Sequence, residues 1–340
     1  MKGMKWLVFA LLVLSLMLTA CAARTSERKA SDETTPMADD HREEMVTIQQ
    51  TGVTAAVPAS YFDAPTRQGT VVRIEYESKD YAGSGAVVTK PANVYLPYGY
   101  DESDEETRYN IFYFMHGWTG DADEFFTIGD GMIRKMLDHM IENGDIPPMI
   151  FVAATFDAEN AAQSFGRSVS QLRQFHRDFA NDLMPAVEGR FHTYARSASR
   201  EDLTASRDHR AFGGFSLGAV TTWMQFCYNY DYIRYFVPMS GACWYYGGYG
   251  DYQPAETCDF FERLIEENDL NERGYFIYAC TGTRDAVLDQ VEIQMREMLK
   301  RSDVFTPEHV VYYKKQGGVH DFNAVQEYVY NALPVFFGGA

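Results

Sequence analysis

The feature that most constrains this chain is a recurring pattern of short, almost wholly apolar runs separated by longer segments of helical spacing. The runs are residues 111–115, 149–154, 211–215, 235–239, 275–280 and 309–313. A strand with one wet face alternates apolar and polar residues, so strands apolar throughout are covered on both faces. Between them, Met132, Ile133, Met136, Leu137, Met140 and Ile141 fall on one helical stripe, and residues 172–187, 287–299 and 322–333 do likewise. Strands alternating with helices imply a mostly parallel sheet with helices on both faces. Residues 70–77 differ: Val72, Ile74 and Tyr76 alternate with Arg73, Glu75 and Glu77, as in a half-exposed strand, and residues 93–96 read as its partner. The sheet is therefore expected to begin with an antiparallel N-terminal pair. In such sheets ligands bind at the carboxyl ends of the strands.

The ends of the chain carry a different message. Lys2 and Lys5 precede an apolar run over residues 6–18 and then Leu18-Thr19-Ala20-Cys21. The run is shorter than the ~20 residues a membrane span requires, and small residues before a cysteine resemble the bacterial lipoprotein signal. The expected organisation is a signal peptide at 1–20, lipidated Cys21 heading a flexible polar spacer at 21–56, and one domain at 57–340. Such a protein works outside the cytoplasm, held to the membrane by lipid alone. With 30 basic against 48 acidic residues the net charge is −18, which repels nucleic acid and favours a neutral or weakly charged substrate. The acidic stretch 101–106 has no Gly-kinked cation loop and reads as a solvated turn. Cys227, Cys243, Cys258 and Cys280 could form disulfides in an exported chain; Cys243 with Cys280, each at a strand end, is the favoured pair. No Cys-x-x-Cys or His-rich cluster points to a metal, and no cofactor is implied.

The chemistry concentrates in Gly214-x-Ser216-x-Gly218. Three fixed residues match a chain of this length by chance roughly one time in ten, so context decides. Ser216 follows an apolar strand, and residues 219–226 can start a helix at once, the setting of a nucleophile elbow. Glycines at both flanks let so sharp a turn close. A serine hydroxyl needs a base, and the base needs an orienting group. Asp285 lies just past strand 275–280, and His320 lies in the loop after strand 309–313. The order Ser216, Asp285, His320 is that of a Ser–acid–His triad on an α/β sheet. Asp289 is the runner-up acid, and Asp321 is expected to cap the last helix. His41, His139, His176 and His309 fall in the spacer, in helices or in a strand. His116 opens His116-Gly117-Trp118-Thr119-Gly120 after strand 111–115, where a loop can donate N–H groups to an oxyanion. Trp118 and Leu217 are the expected donors. His116 is placed on the substrate side of the site, its imidazole bracing the loop.

Together with Val94-Tyr95-Leu96-Pro97, the run Asn181 to Pro185, Ser240-Gly241, Gly282-Thr283-Arg284-Asp285 and Gly318-Val319-His320-Asp321-Phe322, these motifs resemble the esterase D-like α/β-hydrolases, and among them carbohydrate esterase family 1. The resemblance spans residues 69–337. It implies an α/β-hydrolase fold and a cofactor-free serine esterase with Ser216, His320 and Asp285 as its triad, acting on feruloyl or acetyl esters of plant cell-wall polysaccharide such as xylan. The segment 244–252, rich in Tyr and Gly, departs from the family pattern; Trp244 and Tyr245 are expected to form a substrate wall, against the alternative of an aromatic loop packed on its own surface. Feruloyl is favoured over acetyl. Two rivals stand beside the esterase: an acyltransferase resolving the same acyl-enzyme with a sugar hydroxyl, and a non-catalytic glycan-binding lipoprotein.

Overall fold

A computed structural model describes residues 55–157 and 164–338. The expected signal peptide, Cys21, His41 and most of the expected spacer lie outside the described residues. The packed body starts slightly earlier than residue 57, because Ala55 donates to Asn331 Oδ1 at 2.8 Å and accepts from Asn331 Nδ2 at 3.0 Å.

Eight strands form one sheet: β1 (Thr70–Lys79), β2 (Val87–Leu96), β3 (Asn110–Met115), β4 (Met149–Ala154), β5 (Arg210–Phe215), β6 (Tyr235–Met239), β7 (Phe276–Gly282) and β8 (Val310–Lys315). Their order is β1-β2-β4-β3-β5-β6-β7-β8. β1 and β2 pair antiparallel, and β2 joins β4 antiparallel with Val94 opposite Val152. From β4 onward every neighbour is parallel. This is the expected mixed sheet. β2 is longer than its apolar residues indicate, because Thr89, Lys90 and Pro91 continue the ladder opposite β1.

The main helices are α1 (Glu124–Glu142), α2 (Phe165–Asp178), α3 (Leu217–Tyr228), α4 (Pro254–Glu267), α5 (Leu288–Leu299) and α6 (Phe322–Phe337). α1 is broken at residues 128–131, where Gly129, Asp130 and Gly131 take positive φ, so its regular part coincides with the stripe beginning at Met132. The doubly apolar strands are explained by two cores. In β3, Ile111, Tyr113 and Met115 face one with side chains of α2 to α5, while Phe112 and Phe114 face the other with α1 and α6. Each fully buried side chain of this size stabilises the fold by about 1.5–3 kcal/mol. Sidedness also corrects the favoured disulfide. Cys243 belongs to the first core and Cys280 to the second, with the sheet between them, and all four described cysteines are buried free thiols. The neighbour of Cys243 is Cys227, thiol against thiol.

Two buried ion pairs fix the sheet to its helices. Lys90 Nζ lies 2.6 Å from Asp178 at the end of α2. Arg210, at the start of β5, is fully buried and uses all five N–H groups: two meet the Glu188 carboxylate at 2.6 and 2.8 Å, and the others meet Leu203 O, Tyr232 O and Ser206 Oγ. The Tyr113 and Thr193 hydroxyls fill the remaining sites on Glu188. Removing one partner from such a pair commonly costs about 3–5 kcal/mol, because the other is left charged and buried. Arg210 thereby anchors the strand whose far end is Ser216.

Candidate active site

Ser216 closes β5 and caps α3 with φ +59° and ψ −115°, a left-handed conformation costly for a residue with a side chain. Close packing imposes it. A methyl group on Gly214 would sit 2.4 Å from Gly218 O, and one on Gly218 would sit 2.0 Å from Met115 O. Neither fits. The turn is held by Ser216 N–H donating to Met239 O at 3.0 Å and by Ser216 O accepting from the Ala219 and Val220 amides. As the first helical residue, Leu217 presents an amide with no intrahelical acceptor beside the serine.

Asp285 and His320 come from neighbouring loops that are laced together. A methyl group on Gly282 would lie 2.2 Å from Gly318 O, the Arg284 amide donates to Gly318 O at 2.9 Å, and the Gly317 amide donates to Thr283 Oγ1 at 2.8 Å. This lacing delivers a hydrogen bond of 2.8 Å from His320 Nδ1 to Asp285 Oδ1. The Asp285 side chain is fully buried and that of His320 is 28% exposed. Burial alone would raise the Asp285 carboxyl, but the His320 bond and charge and the Val287 amide outweigh it, so its pKa lies below the ordinary value. The Ser240 hydroxyl, on a second left-handed serine, lies beside the same carboxylate. The His320 ring is 4.5 Å from the ring of Phe215, the residue before Ser216. A carboxylate on Nδ1 keeps the proton there and leaves the Nε2 lone pair to accept one from a hydroxyl. Asp289 is exposed on the first turn of α5, whereas Asp321 caps α6 by accepting from the Ala324 amide at 3.0 Å.

The loop after β3 packs directly on this turn: a methyl group on Gly117 would come 3.3 Å from Ser216 Cβ. His116 is 2% exposed, with Nε2 2.8 Å from Thr155 Oγ1 and Nδ1 2.6 Å from Gly117 O. It braces the loop, and burial removes it from the substrate side. Trp118 is half-buried and meets Phe165 edge to face at 5.2 Å. Phe165 in turn meets Trp244 and Tyr249, joining all four rings in one cluster. The expected wall is corrected in part. Trp244 is 4% exposed and packs into the core, and Tyr245 stacks on Phe260 at 4.1 Å, so neither presents an open face. Tyr249, 47% exposed, is the open ring of that segment. Sequence reasoning missed Phe165, which starts a helix after an apolar strand and carries no motif of its own, and Ser240, quoted in a motif without a role.

His116 also sets a pH dependence. Burial lowers its pKa to about 4, against about 6.5 in an unfolded chain. Below pH 6.5 the unfolded chain binds a proton the folded one refuses, so stability is complete above 6.5 and falls toward pH 4, at up to about 1.4 kcal/mol per pH unit. Denaturant unfolding should show the native protein losing about 3 kcal/mol more than His116→Gln between pH 6.5 and 4. Equal losses would contradict a buried neutral imidazole, as would a His116 ring that NMR finds protonated at pH 5.5.

Comparison with known proteins agrees with this geometry. The profile of the family named Esterase, described as "Putative esterase", matches residues 89–334. Endo-1,4-beta-xylanase Y of Acetivibrio thermocellus is 34% identical over 285 residues, covering 82% of this chain and 24% of that protein. The endo-1,4-beta-xylanase/feruloyl esterase of Xylanibacter ruminicola is 28% identical over 172 residues, covering 49% of this chain and 20% of that protein. This chain thus spans a quarter or less of the length of these curated relatives. Among solved structures, a serine-to-alanine mutant of the feruloyl esterase module from Clostridium thermocellum, complexed with sinapinate, is 32% identical with a TM-score of 0.70, covering 84% of this chain and 93% of that one. The fold is that of the α/β-hydrolase feruloyl esterases, and the chain belongs to the esterase family as a serine carboxylic-ester hydrolase.

Proposed function

We propose that this chain releases feruloyl-type aromatic acids from xylan, with Ser216 as nucleophile, His320 as general base and Asp285 as the group that orients it. The observation that carries the reading is the His320–Asp285 hydrogen bond beside the strained turn of Ser216. His320 Nε2 takes the Ser216 proton as Oγ attacks the ester carbonyl. The resulting oxyanion is held by the Trp118 and Leu217 amides. Collapse expels the sugar oxygen, which receives the proton from the imidazolium, and leaves an acyl-serine. Water, deprotonated by His320, then attacks the acyl carbon; the free acid leaves and Ser216 regains its proton.

The substrate assignment draws on the relatives' names, a xylanase, a xylanase/feruloyl esterase and a feruloyl esterase module holding sinapinate, and on the partly open rings of Trp118, Phe165 and Tyr249, which cluster over buried Trp244. An aromatic acid can use those rings, and an acetyl group is too small to reach them. One ring contact contributes about 0.5–1.5 kcal/mol beyond area burial. Tyr249→Ala should therefore lower kcat/KM on methyl ferulate about three- to tenfold while aryl acetate hydrolysis changes less than about twofold. Equal losses on both esters would remove the preference for aromatic acids.

The proposed location is extracytoplasmic, with Cys21 acylated after removal of residues 1–20. Residues 6–21 support this reading through their apolar run and the Leu-Thr-Ala-Cys sequence. Cys21→Ala should abolish incorporation of radiolabelled lipid and release active protein from membranes. Retention of both label and attachment would overturn the anchor.

A further inference from the structure

A cavity of about 340 Å3 opens between the β1–β2 hairpin and α2, within the range of small-ligand clefts, about 300–1,000 Å3. It lies at the same end of the sheet as Ser216. β2 runs antiparallel to β4 with Asn93 opposite Ala153, so Lys90 reaches past the carboxyl end of β4, and its Nζ donates to Phe156 O at 3.0 Å. Phe156 lines the cavity, and its ring is 4.7 Å from that of His116, whose neighbour Gly117 packs on Ser216. The Phe156 and His116 rings thus connect the cavity to the loop beside the nucleophile. α2 connects the two places as well: Phe165 joins the aromatic cluster, while Arg167, Gln171 and Gln174, further along, line the cavity.

The lining mixes donors and acceptors over aromatic carbon. Asp80 offers a carboxylate fixed by the Ser84 amide at 3.0 Å. Arg167 makes no ion pair among the described residues. The amide oxygen of Gln171 is buried without a hydrogen-bond partner among the described residues. A buried polar atom left so is destabilising unless something fills its place. Phe156 and Phe175 supply the apolar floor. Charge decides between ligands. Lys90 is neutralised by Asp178, and the other charged groups of the lining, Lys79 and Arg167 beside Asp80, are of both signs, so the cavity suits a hydroxyl-rich ring that can both donate and accept.

We propose that this cavity is a glycan subsite that takes a sugar unit of the polysaccharide whose ester is cleaved at Ser216. The identity of that sugar chain rests on the esterase reading above; the cavity's chemistry does not. The test is calorimetric binding of an unesterified linear xylo-oligosaccharide of four units to the full chain and to Arg167→Ala and Gln171→Leu. Both substitutions lie on α2, and circular dichroism would confirm its integrity. Binding to the native chain, weakened about tenfold or more in each variant, is the expected result. A parallel tenfold fall is expected in the ratio of kcat/KM for a feruloylated oligosaccharide to that for methyl ferulate. Absence of binding to the native chain, or equal affinity in all three proteins, would overturn the subsite even if methyl ferulate is hydrolysed rapidly. Variant-sensitive binding by a protein that hydrolyses neither ester would uphold the subsite and remove the esterase reading instead.

Discussion

The arrangement depends on one steric constraint, the contact of Gly214 and Gly218 with each other and of Gly218 with the end of β3. With Gly218 pressed on Met115 O, α3 starts immediately after β5, and Ser216 has no relaxed conformation available. The left-handed backbone at Ser216 costs on the order of 1–3 kcal/mol. That cost is offset by two cores that clamp β5 from both faces and by the Arg210–Glu188 network that pins its other end. The benefit is positional. A serine at the tip of so tight a turn stands clear of its own strand and helix, with the Leu217 amide beside it.

The same principle, backbone brought close by missing side chains, joins the acid to the base. Gly282 and Gly318 let the loops after β7 and β8 approach until their backbones touch, and the His320–Asp285 bond follows from that contact. Gly117 extends the principle to the loop after β3. Three loops from separate strands are thus locked to one turn by their own backbone contacts. Preorganisation of this kind is what gives dipoles and proton acceptors their value in catalysis.

The sheet was legible because doubly apolar runs have few alternatives: each must be covered on both faces, and β3 to β8 are. The order of Ser216, Asp285 and His320 was legible because each residue follows a strand. Contacts between charged residues far apart in sequence were not. Arg210 and Glu188, or Lys90 and Asp178, look like surface residues until the fold brings them together, and Lys90 with Pro91 hid the first half of β2 for the same reason. Sidedness was the other blind spot. Strand ends at Cys243 and Cys280 look equivalent in sequence, yet they lie on opposite faces of the sheet. In the segment 244–252, aromatic composition indicated a wall, but only packing could distinguish buried Trp244 from exposed Tyr249.

The central claim is that Ser216, His320 and Asp285 act as one unit. Its most direct measurement is kcat on a single ester for Ser216→Ala, His320→Ala and their double variant, alongside Asp285→Asn and Asp289→Asn. Because a base without its nucleophile is as idle as a nucleophile without its base, each single alanine variant should lose about three or more orders of magnitude, and the double variant little beyond that. Asp285→Asn should be severely impaired and Asp289→Asn near the native rate. Losses that multiply in the double variant, or an Asp289 substitution that costs more than the Asp285 one, would contradict the account.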